Sequence, residues 1–419
     1  MIRKYIVAMM YSMATVGSAT AQLLSIDSCY ALAKKNYPLI RQYELIEKTK
    51  EYTLSNANKA YLPQLSITAI EGYIFGELPS FGPASGEAET SDFKFIGIAQ
   101  LNQTLWDGGA TKTQKKIITA SSETEKAALD VAIYDLHARV NQLYFGILLV
   151  DEQLKQLEVQ NTILSNNVNR VEQLSDNGLA YKTDLDEIKV EQLKLNQHKT
   201  ELKYVQNGYV MMLSLLIGVK ITEPITLQKP ALDNPLPDFQ IVRPELSLYK
   251  SQRSMVSAQL DMQRVSLMPK IGLLGAGVVL APGIGSGDNS ATSIGVVGLS
   301  ASWSVGGFYK RGNEKQLTQL SLNKINLQEE TFLFNTKLQT TQASADVEKQ
   351  KAILTGDEEI VSLRKSIRES YQVKYNTGTG SLMDLLNATE NESEARSQKA
   401  LHEMQLLITI FEQKTITGN

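Results

Sequence analysis

Two aspartates stand in matching surroundings. The stretch LSDNGLAYKTDL, residues 174–185, carries Gly178 and, six positions on, Asp184. The stretch KYNTGTGSLMDLL, residues 374–386, carries Gly378 and, six positions on, Asp384, 200 positions later. An acid at the start of a helical segment can accept hydrogen bonds from amides that have no partner inside the helix. Ser381 to Asp384 has capping-box spacing, and Thr183 to Asp186 can do the same. The other chemistry is charge. If copies of the chain surround an axis, such acids form a ring that attracts cations. Asp184 and Asp186 have no histidine nearby, so a metal pair is disfavoured. His137, His198 and His402 sit singly in helical patterns, which gives no zinc site. Gly283 to Gly287 lacks the GK[ST] of a phosphate loop and lies between strand-like segments. No nucleophile, base and orienting group come together. The sequence therefore implies neither an enzyme nor a cofactor.

The elements that must position these acids are long helices. The 419 residues are 7% aromatic, with 11 prolines and a formal charge of −3. Long stretches rich in Ala, Gln, Glu, Leu and Lys suit extended helices. The near-neutral balance argues against a nucleic-acid partner or an anionic membrane surface. Residues 1–21 read as a signal peptide: Arg3 and Lys4, a short apolar core, then Ala19-Thr20-Ala21 as the cleavage site. The core is far short of the ~20 residues of a spanning helix. Beyond it the longest apolar run, 209–219, is about half a span. Cys29 is the single cysteine, so no intrachain disulfide can form.

The bends belong to a larger duplication. Pro38 and Pro63 bracket one helical interval; Pro244 and Pro269 bracket another of the same length. Each is followed by a strand-like hairpin. In LPQLSITAIEGYIF, Leu65, Ile67 and Ala69 alternate with Gln64, Ser66 and Thr68; FKFIGIAQLNQTLW follows a turn-rich stretch. PKIGLLGAGVVL and SIGVVGLSASWSV form the second hairpin, with Val297 and Leu299 alternating with serines. Each hairpin ends in a glycine pair, Gly108-Gly109 and Gly306-Gly307. A long proline-free helical pattern then runs to each bend, over 110–175 and 308–375, about 100 Å at the helical rise. A shorter helix returns, 183–217 and 382–414. This gives a first repeat at 22–218, a proline-rich linker at 219–243 and a second repeat at 244–419. Each half reads as an antiparallel helical rod capped by a β-hairpin. Four strands with apolar faces are too few to close a barrel, and open edges are a liability in lipid or water. Copies around an axis would cure this; two give eight strands and three give twelve, and the physics leaves both open.

This pattern resembles the TolC family of outer-membrane efflux proteins over essentially the whole mature chain. The first bend of that family resembles V-G-L-x-x-x-T-D; Gly178, Leu179, Thr183 and Asp184 match, and Asn177 replaces the valine. The second resembles Y-x-V-G-T-R-[ST]-x-x-D-x-x-D; Tyr375, Gly378, Thr379, Ser381 and Asp384 match. Thr377, Gly380 and Asn387 stand where a valine, an arginine and a second aspartate are expected. The resemblance implies a mainly α protein with a β-barrel portion: duplicated hairpin repeats building an α-helical tunnel, and a 12-stranded transmembrane β-barrel shared by three chains. It implies a homotrimer in outer-membrane lipid whose tunnel reaches into the periplasm. It implies a passive exit duct for a tripartite efflux or type I secretion system, served by a periplasmic adaptor and an inner-membrane transporter. Tyr375, Asp184, Thr183, Asp384 and Asn387 would form the constriction, with a Tyr375–Asp184 link and no arginine brace. Gly178, Leu179, Gly378 and Thr379 would form the adaptor-facing tip. The competing reading is a structural coiled-coil protein of the envelope without transport; it leaves the four alternating strands unexplained.

Overall fold

A computed structural model describes residues 24–73, 93–177, 181–221, 227–231, 240–281 and 292–419. The expected signal peptide, the stretches between the paired strands of each hairpin and parts of the linker lie outside these residues. Eight helices and four strands are described: α1 (Ile26–Asn36), α2 (Gln42–Asn58), β1 (Gln64–Tyr73), β2 (Phe93–Trp106), α3 (Ala110–Tyr134), α4 (Leu136–Asp176), α5 (Lys182–Ile217), α6 (Pro244–Val265), β3 (Lys270–Ala281), β4 (Thr292–Ser302), α7 (Gly307–Asn376) and α8 (Leu382–Thr417). The order helix, hairpin, long helix, bend and returning helix occurs twice. Two features depart from the expected pattern. The helix expected over 110–175 is divided at Asp135, where the Tyr134 carbonyl lies 3.0 Å from His137 Nδ1. The helix α1 has no counterpart among the described residues before α6; Ser25 caps α1, accepting from the Ser28 amide at 3.2 Å.

The chain divides into two compact units, each drawing on both repeats: residues 1–40, 132–244 and 332–419, and residues 41–131 and 245–331. The second unit holds the sheet. Its four strands are all antiparallel in the order β1-β2-β3-β4, so the two hairpins join through β2 and β3. Register fixes the faces. Leu65 pairs with Leu101, Leu101 with Gly275 and Gly275 with Val297; Ile67 pairs with Ala99. Because side chains alternate along a strand, Leu65, Ile67, Val297 and Leu299 share one face, and all four are exposed. Ser66 pairs with Gln100 on the other face. Charge within the strands is confined to Glu71, Lys94 and Lys270, near their ends. The helices of this unit are joined by ion pairs in the same order as the strands. Lys126 pairs with Glu47 between α3 and α2, Lys116 with Asp261 at 3.5 Å between α3 and α6, and Arg253 with Glu329 between α6 and α7.

At the base of the sheet the glycine pairs differ in use. Gly108 and Gly109 have φ of +69° and +94°, a region glycine enters without a Cβ penalty. They carry the turn from β2 into α3, and Asp107 locks it. Its carboxylate accepts from the Gly109 amide at 2.9 Å, the Thr111 amide at 2.6 Å and the Tyr61 hydroxyl at 3.0 Å. Burial alone would push this carboxyl up; the hydrogen bonds outweigh it and hold the pKa at about 2. A carboxyl depressed on folding stabilises above its unfolded pKa of about 3.9, and loses that contribution as pH falls towards 2. Asp107→Ala should cost about 1–2 kcal/mol at neutral pH. Hydrogen exchange at the Gly109 and Thr111 amides should show the wild-type advantage shrinking between about pH 4 and pH 2.

The first unit is helical, with its core where α1, α4, α5 and α8 meet. Cys29, Val140, Tyr144, Phe145, Leu213 and Leu407 are buried there together. Each large apolar side chain so buried contributes roughly 1.5–3 kcal/mol. Burial pushes the Cys29 thiol up to about 12, leaving an inert core residue. A second cluster, including Leu164, Val168, Val171, Ile188, Leu195 and Leu386, runs towards the bends. No helix among the described residues is long and apolar enough to cross a membrane.

Candidate functional site at the two helical bends

Both bends lie in the first unit. The second ends α7 with a Schellman motif: the Thr379 amide donates to the Lys374 carbonyl at 2.9 Å, and the Gly378 amide to Tyr375 at 3.1 Å. Gly378 has φ of +72° with nothing within 4 Å of where a Cβ would stand. Its glycine is therefore required by backbone dihedral, not by space. Gly380 is the opposite case. A Cβ there would lie 2.9 Å from Lys374 Cβ and 3.3 Å from the Tyr375 nitrogen. The position where the family pattern has an arginine is thus closed to any side chain unless the bend opens.

Ser381 begins α8. Its Oγ accepts from the Asp384 amide at 3.1 Å and donates to Asp384 Oδ2 at 2.7 Å. At the first bend, Gly178 and Leu179 lie outside the described residues. The helix α4 ends with the Asn177 side-chain amide on the Gln173 carbonyl at 2.6 Å. The helix α5 begins with the Tyr181 amide donating to Asp184 Oδ2 at 3.3 Å. Both aspartates therefore sit in the first turn of a returning helix, each with a carboxylate oxygen engaged there, as an anion at a helix N-terminus prefers. Capping uses one oxygen of Asp384 and leaves its charge on the exposed face of α8, which continues through Asn387.

Tyr375 packs partly buried against the apolar cluster below the bends. Its phenol is raised above the ordinary value, first by burial and then by the negative charge of Asp184, with Arg170 acting the other way. Among the described residues its hydroxyl has no hydrogen-bond partner. The Tyr375–Asp184 relation is electrostatic here, without the hydrogen bond that would tie the two bends together.

Thr183 and Asn387 line a cleft of about 420 Å³ with Asp186, Glu187, Glu191 and Glu390. The sequence reading missed this grouping, because the acids come from α5 and α8 and adjoin only in space. It also missed Glu392, which is 4% exposed. Arg368 Nε reaches it at 2.5 Å and Arg396 Nη2 at 2.7 Å. Burial would raise the Glu392 carboxyl, but the two guanidinium groups lower it below the ordinary carboxylate range. This triad pins α7 to α8 near the second bend. His402 Nδ1, 2.7 Å from Asp357 Oδ2, ties the same helices farther along.

No protein-family model matches the chain. No curated protein matches it in sequence. Solved structures do. The outer-membrane channel OprN is 16% identical, with a TM-score of 0.65 over 94% of this chain and 89% of that one. The outer-membrane protein VceC of Vibrio cholerae is 12% identical, with a TM-score of 0.65 over 93% of this chain and 95% of that one. The open-state outer-membrane channel MtrE of Neisseria gonorrhoeae is 13% identical, with a TM-score of 0.64 over 94% and 89%. The chain has the fold of these proteins along nearly its whole length.

Proposed function

We propose that the chain is one protomer of a TolC-type outer-membrane channel-tunnel. It would act as the passive exit duct of an efflux or secretion machine whose energy comes from an inner-membrane transporter. The observation that carries this reading is the sheet. Its strands have 10, 14, 12 and 11 residues, and a tilted transmembrane strand needs about 9–11. Their interiors are uncharged, and one face is exposed and apolar. Both tryptophans of the chain, Trp106 and Trp303, lie exposed at the helix end of the sheet, where an aromatic girdle meets a membrane interface.

An open four-stranded sheet leaves β1 and β4 as free edges, and lipid tolerates no free edge. Closure by neighbouring copies satisfies both, and three copies make the twelve-stranded barrel. Exposed apolar residues at coiled-coil spacing support lateral packing of copies: Leu320, Leu327 and Phe334 on α7, and Tyr204, Met211 and Leu215 on α5. The helix α7 has 70 residues, about 105 Å at the helical rise, and this reading puts the bends in the periplasm. There Thr379, with Gly178, Leu179 and Gly378, would meet an adaptor protein. A purely structural envelope coiled coil has no use for an apolar sheet face.

Cell fractionation should place the protein in the outer membrane, with heat-modifiable migration at trimer size on gels. A photo-cross-linker at Thr379 should capture a periplasmic partner in cells. A detergent-stable monomer with intact strands would refute the barrel. Capture at mid-helix positions but not at Thr379 would refute the tip assignment.

A further inference from the structure

We propose that the sheet end of a groove between α3 and α6, where Lys112, Lys115 and Lys116 stand, binds the anionic headgroup of a phospholipid in the leaflet adjoining the helix end of the sheet. The proposal rests on the membrane-embedded reading of that sheet. The groove, about 670 Å³, is lined by Lys112, Lys115, Lys116, Glu123 and Lys250, with small hydroxyl side chains between them. Its charge is unbalanced. Lys116 has Asp261 at 3.5 Å, but Lys112, Lys115 and Lys250 have no carboxylate partner among the described residues. Glu123, the one acid lining the groove, is engaged by Lys126 at 3.1 Å and Lys50 at 3.6 Å. The seams on either side, α2 with α3 and α6 with α7, are matched by acids on the facing helix. The near-neutral net charge of the chain conceals this local excess.

Three of the groove's four hydroxyl protons are already used. Thr119 donates to the Lys115 carbonyl at 2.9 Å, Ser251 to the Leu248 carbonyl at 2.9 Å and Ser254 to the Lys250 carbonyl at 3.2 Å. At the sheet end the ammonium groups are therefore the donors left for a ligand, and a phosphate is the anion they suit. Position selects the source of that phosphate. Lys112, Lys115 and Lys116 lie in the first two turns of α3, about 3–9 Å along its axis, at the sheet end of the groove, whereas Lys250, 15 residues before the end of α6, lies about 22 Å from that end. The helix follows Trp106 by one short turn, and the headgroup layer is about 5–8 Å thick. Lysines at that depth attract anionic lipid.

The test uses the full-length oligomer in phosphatidylcholine vesicles with and without phosphatidylglycerol, counting retained lipids by native mass spectrometry. The wild type should retain phosphatidylglycerol over phosphatidylcholine by about tenfold, and lose that preference in 1 M salt. Lys112→Gln/Lys115→Gln/Lys116→Gln should bring the ratio to parity. If the triple variant does not assemble, Lys115→Gln alone should lower the ratio about threefold. Parity in the wild type, or an unchanged ratio in an assembled variant, overturns the proposal. Protection of these lysines from acylation by soluble polyglutamate but not by phosphatidylglycerol reassigns the groove to an acidic polypeptide. Insertion into neutral vesicles is scored separately by protease protection; failure there removes the membrane reading and the lipid site with it.

Discussion

The double substitution Ile67→Arg/Val297→Arg is expected to abolish the assembled oligomer, while Ser66→Arg leaves it standing. Ile67 is 74% exposed and Val297 is 85% exposed in the single chain. The register puts them on the same face of the sheet, near the middle of β1 and β4. If that face meets hydrocarbon, each arginine costs about 2–4 kcal/mol at the midplane. Within one chain two strands separate the residues, so the costs add to roughly 4–8 kcal/mol; where copies join, β4 adjoins β1 of the next copy, and like charge across that seam adds to the loss. That is comparable with the whole folding stability of an ordinary domain, about 5–15 kcal/mol. Ser66 lies between Leu65 and Ile67 in sequence but points to the opposite face, beside Gln100. An arginine there would face the lumen, where its charge stays solvated. Urea titration of vesicle-inserted protein, read by heat-modifiable gel migration, measures all three. Equal losses for Ser66→Arg and Ile67→Arg would mean that the faces are assigned backwards or that the sheet is not in lipid.

The faces of this sheet were legible in the sequence because β-structure alternates with a period of two. Leu65 could be placed with Ile67, and Val297 with Leu299, on one face of its own strand; that the two pairs share a face follows from the register. The pairing itself was not legible. That the hairpins join through β2 and β3 depends on contacts between residues about 180 positions apart, such as Gly97 with Val279, and local propensity says nothing about these. Proline spacing and glycine located both returning helices to within a few residues. It did not reveal α1, whose Ser25 cap and short apolar face resemble many loops. Nor did it reveal the break at Asp135, where the surrounding pattern reads as unbroken helix. At the bends, glycine type predicted the left-handed residue at 378. The role of Gly380 was invisible, since it comes from the bend folding back against the Lys374 Cβ and the backbone of the last turn of α7. The acid-lined cleft and the Arg368–Glu392–Arg396 triad were missed for the same reason: each is assembled from different helices.

Asp384→Asn is expected to weaken cation preference in planar-bilayer recordings without weakening the fold. Asp384 combines a capping contact with an exposed charge, and substitutions can separate the two. Its carboxylate meets the Ser381 hydroxyl at 2.7 Å, a contact that an asparagine carbonyl can also accept. Asparagine thus keeps the shape and the capping oxygen and removes the charge. Ser381→Ala does the converse: it removes the cap, at about 1 kcal/mol, and keeps the charge. In a threefold assembly the three carboxylates would ring the axis at the narrow end. Three unit charges about 8 Å from a cation attract it by about 0.5 kcal/mol each in water, about 1.5 kcal/mol together. This is roughly a tenfold enrichment, reduced by salt. Asn387, next on the exposed face of α8, adds no second ring of charge, so one substitution should remove most of the effect. Asp384→Asn should lower the cation-to-anion permeability ratio several-fold towards unity and relieve block by multivalent cations. Ser381→Ala should lower stability and leave selectivity unchanged. Tyr375→Phe should alter conductance little, because the hydroxyl makes no hydrogen bond among the described residues. If Asp384→Asn leaves selectivity and cation block at wild-type values while Ser381→Ala destabilises the protein, Asp384 serves only as a helix cap. The constriction must then be formed elsewhere along the tunnel.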